Sequence, residues 1–248
     1  MATLPQAHHN VLDLSVFRGE GNEAQAYGTV PILDTSEARW FASDPLPSEV
    51  IAWFTRDGSV GTVEERCDVY QLHRLHDIGV KRRDRSILEV KVRRSIGDDL
   101  TISADLAAPF EEWRKWSPFQ GDPMTPSPDI PWIEVNKTII TRTFMLSDHE
   151  VVGPAEHVDD SLSGCDVEIA AVTVAGIDSW TLAFEAFGPK SDRRRTVGFS
   201  WAMLLAESGE LDDLGTCFDL AAGYPEWLAS IGSRLQAEMP ASDEKLTG

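Results

Sequence analysis

Glu89-Val90-Lys91-Val92-Arg93 is the segment best equipped for chemistry: three ionisable side chains at every second position, separated by valines. Along a strand such residues project from one face and Leu88, Val90 and Val92 from the other. The same parity sorts Arg66, Asp68 and Tyr70 against Cys67 and Val69, and Lys81 and Arg83 against Ile78, Val80 and Arg82. Further along, it sets Glu134, Asn136, Thr138 and Arg142 against Ile133, Val135 and Ile139. It then sets Glu168 against Val167 and Ile169, and Glu185 against Phe184 and Ala186. One face is ionic throughout. Arg and Lys rows replace the hydration of a multiply charged anion, and carboxylates among them suit a hard divalent cation. An antiparallel sheet with one face in water gives the same alternation. The return of acidic rows at Glu168 and Glu185 is how a closed barrel would oppose carboxylates to cations across its lumen.

Charge distribution agrees with a local cationic region. Between Arg66 and Arg94 nine Lys/Arg stand against four Asp/Glu, in a chain of 248 residues whose net charge is −19. Such an acidic whole excludes duplex DNA as a partner, because phosphate neutralisation needs a basic surface. The three cysteines, Cys67, Cys165 and Cys217, have neither zinc-site spacing nor the density of a disulfide framework, so reduced thiols are expected. No apolar stretch approaches membrane-spanning length and Met1–Asn10 lacks a signal pattern, so a cytoplasmic location without a membrane partner is expected. No Gly-rich phosphate loop precedes a helix and no Gly-x-Ser-x-Gly elbow occurs. His73 and His76 lie beside a turn without acidic or Cys partners and read as exposed loop residues.

The elements that position these rows are mostly strands. Ser36–Ala42, Glu65–Leu72, Ile78–Arg83, Ile87–Arg93, Asp99–Ala104, Ile133–Phe144, Cys165–Val174 and Ser179–Phe187 carry the alternation. Short links at Asp84-Arg85-Ser86 and at Ala175-Gly176-Ile177-Asp178 predict hairpins. Pro109–Trp116 fits a helical turn or a strand. Five prolines in the fifteen residues Ser117–Pro131 predict a long loop. Helices are expected over Pro45–Phe54, Thr196–Glu207 and Pro225–Leu235, with Pro225-Glu226-Trp227 covering the barrel exterior. Residues 1–33 read as an extension, 34–235 as a single domain and 236–248 as a tail.

The order of the charged rows resembles the CYTH-like superfamily, the triphosphate tunnel enzymes that include class IV adenylyl cyclases and thiamine triphosphatases. Its members carry Glu-x-Glu-x-Lys on an N-terminal strand, then Arg and Lys rows ending in a Glu-x-Lys-x-Arg-like segment, then further Glu on late strands. The counterparts here are Thr35-Ser36-Glu37-Ala38-Arg39, then Lys81-Arg82-Arg83 and Glu89-Val90-Lys91-Val92-Arg93, then Glu168 and Glu185. The order agrees from Thr35 to Phe187. Thr35 replaces the first signature Glu and Arg39 the Lys; Arg keeps the charge in a planar, bidentate form, while the missing carboxylate weakens or moves a metal site.

The resemblance implies a β-rich α+β domain: an antiparallel tunnel barrel or strongly curved sheet with covering helices. It implies substrate binding by Arg39, Arg66, Lys81, Arg83, Glu89, Arg93 and Arg142, and catalytic roles for Glu37, Glu185 and Lys91. Mg²⁺ or Mn²⁺ would be held by Glu37, Glu168 and Glu185. The activity so implied is metal-dependent phosphohydrolysis of a (poly)phosphorylated small molecule inside the barrel. The alternative is a non-catalytic phosphate-ligand-binding or scaffold protein that kept the barrel and lost the metal site.

Overall fold

The computed structural model describes residues 32–56, 61–72, 75–119, 131–147, 150–154 and 163–238. The first half of the chain forms β1 (Ile32–Ala42), α1 (Ser48–Phe54), β2 (Thr62–Gln71), β3 (Ile78–Arg83), β4 (Ile87–Ile96), β5 (Leu100–Ser103), β6 (Leu106–Ala108) and β7 (Glu111–Phe119). The second half forms β8 (Trp132–Ser147), β9 (Glu150–Pro154), β10 (Ser163–Val174), β11 (Ile177–Phe187), α2 (Lys190–Ser208), β12 (Leu220–Ala221) and α3 (Tyr224–Glu238). Eight strands close into an antiparallel barrel in the order β10, β11, β1, β7, β4, β3, β2, β8, and β8 pairs back onto β10. Closure removes the open edges that a sheet of this size would otherwise expose.

Local sequence explains the hairpins. Val174 pairs with Ile177 across Ala175 (φ 51°) and Gly176 (φ 81°), a two-residue turn tighter than the four-residue link expected. Two successive left-handed residues give the turn hand that matches strand twist. The β3–β4 link is Asp84-Arg85-Ser86 as anticipated, with Asp84 and Arg85 both left-handed. Pro109–Trp116 resolves as strand: Glu111, Trp113 and Lys115 fall on one side of β7 and Glu112, Arg114 and Trp116 on the other. β1 starts at Ile32, two residues before the expected domain boundary, and α3 runs past Leu235 to Glu238. Most of the proline-rich loop, the N-terminal extension and the tail lie outside the described residues.

Two apolar clusters hold the barrel, on opposite sides of its wall. Outside, Trp40, Phe144, Ile169, Trp180 and Phe184 pack beneath α1 and α2, against Trp53, Val197 and Leu204. Inside, at one end only, Phe41, Val135, Ile139 and Val172 meet Trp227, Leu228 and Ile231 of α3. Those three residues form a helical stripe, and Trp227 stacks on Phe41 with ring centroids 4.7 Å apart. α3 therefore plugs the barrel end; the expectation that Pro225–Trp227 cover its exterior is corrected. The apolar stripe was legible, but it matches the inner face of the β1, β8 and β10 ends and not the outer one. Gly223 permits the approach: a Cβ there would stand 2.6 Å from Glu111 Oε2 and 2.8 Å from Trp113. Among the described residues no helix is long and apolar enough to cross a membrane.

Candidate functional site

Between the α3 plug and the opposite mouth the lumen is ionic. A cavity of about 250 Å³ is lined by seven Lys/Arg and six Asp/Glu together with Tyr70, Trp113 and Tyr224. Strand parity delivers them: Glu37 and Arg39 from β1, Glu64 and Arg66 from β2, Lys81 and Arg83 from β3, Glu89 and Lys91 from β4, Lys115 from β7, Lys137 from β8, Asp166 and Glu168 from β10, and Glu185 from β11. Nine of the residues expected at the site thus meet in one cavity: Glu37, Arg39, Arg66, Lys81, Arg83, Glu89, Lys91, Glu168 and Glu185.

Two expected residues stand elsewhere. Arg93 keeps the parity of Lys91 but lies towards α3, where it pairs with Glu111 and approaches Glu226 at 3.9 Å. Arg142 is a correction, because it lies on the outer side of the wall and not among the cavity residues. It is 1% exposed, donates to the Phe54 carbonyl at 3.2 Å and pairs with Glu207 of α2. The row Glu134, Asn136, Thr138 and Arg142 faces out; Ile133, Val135, Lys137 and Ile139 form the inward row, apolar where α3 covers it.

The cations are held in a lattice of carboxylates. Arg39 Nε donates to Glu37 at 2.7 Å, and its Nη1 to Glu168 at 2.9 Å and Thr181 Oγ1 at 3.0 Å. Lys91 pairs with the other oxygen of Glu37 and stands 3.8 Å from Glu185. Burial raises the Glu37 pKa, but Lys91 and Arg39 outweigh it and hold the carboxyl far below its usual range. Lys81 bridges Asp68 at 3.1 Å and Glu89 at 3.0 Å, and Arg83 joins Glu64 at 3.1 Å near the mouth.

Asp68 is fully buried and serves three cations at once: Arg66 at 3.2 Å, Lys81 at 3.1 Å and Lys137 at 3.1 Å. Burial opposes its ionisation, yet Lys81, Lys137 and Arg66 keep it ionised well below the normal carboxylate range. Lys137 has the opposite balance. Burial and then the Lys81 charge push its amine down to about 7, although it also donates to Tyr70 Oη at 2.7 Å. On β10, which pairs with β8, Asp166 lies directly opposite Glu185 of the neighbouring β11 in register. Burial, Glu185 and Glu168 push Asp166 up to about 6 despite a 2.6 Å hydrogen bond from Thr143.

The β2–β3–β4 side is therefore rich in cations and the β10–β11 side in carboxylates. Phosphate oxygens suit the first, as acceptors of Arg and Lys hydrogen bonds. Hard cations suit the second. Among the described residues, however, no group of three or more His, Cys, Asp or Glu side chains is arranged to hold a metal ion. Both Glu37 oxygens are occupied by Arg39 and Lys91. Glu37 thus fits a role in holding those cations and not that of a metal ligand, whereas Asp166, Glu168 and Glu185 supply oxygens on one wall.

Residues that strand parity did not single out complete the lumen. Glu64 lies in β2 one residue ahead of the expected strand, and Lys115 sits in the segment left between helix and strand. Lys137 was hidden inside an apolar row, Asp166 sits at the start of β10, and Tyr224 comes from the helix expected outside. The alternation of Asp166 with Glu168 was a usable signal for the fourth. Compared with known proteins, the chain matches no family model and no curated sequence.

Proposed function

We propose that the barrel binds a small molecule bearing a polyphosphate chain within its lumen. The observation that carries this reading is the convergence of seven Lys/Arg side chains from six strands on one cavity, in a chain whose net charge is −19. Held cations cost no reorganisation when an anion arrives, and a low-dielectric wall strengthens them. The carboxylates keep the cations apart and aimed inward until then. An antiparallel eight-stranded barrel with charged rows in this order is compatible with a CYTH-like tunnel, and that kinship is part of the proposal.

A second reading, metal-dependent phosphohydrolysis, is favoured by the acidic wall facing the cationic one. Asp166 and Glu185 would supply oxygens to Mg²⁺ or Mn²⁺, and phosphate oxygens of the bound ligand would have to complete the set. Such an ion supplies charge neutralisation on phosphate oxygens when bound. Lys91, oriented by Glu37, would stabilise charge developing on the transferred phosphoryl group.

Titration calorimetry with tripolyphosphate in chelator tests the binding reading: saturable binding that is lost in Lys91→Ala is expected, and absence of binding in the parent overturns it. Phosphate release with Mg²⁺ or Mn²⁺ that chelator and Glu185→Gln abolish would establish hydrolysis. Binding without release would leave a non-catalytic binder.

A further inference from the structure

The deepest part of the lumen holds two groups that the expected site did not include. Tyr224, the first residue of α3, places its ring beneath Lys137 Nζ, 4.0 Å from the centroid, and Arg39, at 5.1 Å. Its hydroxyl is buried and has no hydrogen-bond partner among the described residues. A buried hydroxyl without a partner is destabilising, so this position carries a cost that a ligand oxygen would remove. Lys137 lines the same cavity and shares its one close carboxylate, Asp68 at 3.1 Å, with Lys81 and Arg66.

Depth orders the cations. The Arg83 side chain is 35% exposed, Arg66 11% and Lys137 4%. With α3 closing the far end, a ligand that reaches Lys137 passes Arg83 first. The aromatic rings of the cavity wall are also occupied. Tyr70 has Lys137 at 4.9 Å and stacks on Tyr224, and Trp113 has Lys91 at 5.3 Å. A nucleobase would have to displace a cation to stack there. The volume points the same way, because about 250 Å³ falls below the roughly 300–1,000 Å³ of pockets that enclose ring-bearing ligands.

We propose that Tyr224 and Lys137 form the seat for the free terminal phosphoryl group of a polyphosphate that enters end first, so that the lumen selects an unblocked chain end and ignores the base. The inference rests on the binding reading above and names what that site recognises. Hydrogen bonds from the Tyr224 hydroxyl and the Lys137 ammonium would meet the terminal oxygens, while Arg66, Lys81 and Arg83 would follow the chain towards the mouth.

Calorimetry on the full chain in chelator, with four probes, tests it. Tripolyphosphate, ATP and GTP should bind within about threefold of one another, and diadenosine tetraphosphate, which has no free end, at least about tenfold more weakly. Tyr224→Phe keeps the ring and its cations. It should weaken the three free-ended probes by about five- to tenfold and leave the blocked one unchanged. Equal binding of diadenosine tetraphosphate and ATP, a tenfold preference for one base, or a Tyr224→Phe variant that binds as the parent does would each overturn the seat while leaving polyphosphate binding intact. Failure of all four probes to bind would remove both.

Discussion

Two buried cations stand five residues apart on β8 and serve opposite purposes. Arg142 is on the outer side, where Phe54 ends α1 and Glu207 lies near the end of α2. Its guanidinium also lies over Phe54 and Phe144, at 5.9 and 5.3 Å. Planar, forked and matched by its own acceptor and carboxylate, it fastens both helices to the barrel. Lys137 is on the inner side and shares Asp68 with Lys81 and Arg66, so one carboxylate answers three cations. Burial of a charge does not by itself mark a site. What separates the two is whether the counter-charge is complete: Arg142 has its own, and Lys137 has room for an anion.

The largest expected effect would break this comparison at its structural side. Arg142→Met strips Glu207 of its partner and leaves the Phe54 carbonyl without its donor, which should cost about 3 kcal/mol in urea unfolding. In the protein that remains folded, tripolyphosphate affinity should stay within about twofold of the parent. A variant of normal stability that had lost binding would place Arg142 in the site after all. Lys137→Met should show the reverse. Asp68 keeps Lys81 and Arg66, so stability should change by less than about 1 kcal/mol, while tripolyphosphate binding weakens by about 10- to 100-fold with the loss of a charged hydrogen bond. Equal losses of stability and binding in this variant would erase the distinction.

How far the site was legible follows from the same strand. Parity alone oriented Arg66 and Asp68 on β2, Lys81 and Arg83 on β3, and Glu89 and Lys91 on β4, because most of their outward neighbours, such as Cys67, Val69, Val80, Leu88 and Val90, are apolar, with Arg82 the exception on β3. On β8 it failed, because an alternating pattern says which residues share a face and not which face is the lumen. Ile133, Val135 and Ile139 looked like the core side; they are core, but beneath a plug inside the barrel. Their row carries Lys137 inward. Glu134, Asn136 and Thr138 fell by parity on the ionic face with the expected site residue Arg142, and the row faces outwards instead, with Ile140, Arg142 and Phe144 under the helices. The barrel itself was foreshadowed by the late acidic rows at Glu168 and Glu185. The plug was not, since nothing local to Tyr224–Ile231 distinguishes a helix laid on a barrel from one inserted in its end.

Protonation sharpens the contrast further. The Lys137 amine lies at about 7, below its ordinary value, and an arriving phosphate would raise it by adding the negative charge it lacks. Binding then takes up a proton above that value. Tripolyphosphate affinity should fall by roughly fivefold between pH 7 and pH 8, and the fall should flatten in Lys137→Arg, which stays charged. Calorimetry at the two pH values in buffers of different ionisation enthalpy measures both the affinity and the proton. A parent whose affinity is level across this range would mean that Lys137 is already fully charged in the empty lumen.

The smallest effect concerns the acidic wall beside Lys137, where β10 pairs with β8. Asp166 faces Glu185 across the β10–β11 pair, and like charges directly opposite are destabilising. Its pKa in the folded protein, about 6, lies above the ordinary aspartate value of 3.8, so the folded state holds the proton more tightly. The stability linked to that proton is fully present below about pH 4 and is lost as pH rises through 6. At pH 7 the carboxylate is charged and unfavourable. Asp166→Asn removes that charge and keeps an oxygen to accept the Thr143 hydrogen bond, so it should stabilise the fold by about 1 kcal/mol at pH 7 and by less at pH 5. Urea unfolding at both values reads this directly. An equal gain at the two pH values would mean that packing, and not repulsion from Glu185 and Glu168, limits stability there. The same variant removes one carboxylate from the wall that would hold a divalent cation. Metal-free tripolyphosphate binding should therefore hold or tighten, while any Mg²⁺-dependent phosphate release falls, which separates a carboxylate that serves a cation from one that merely repels the ligand.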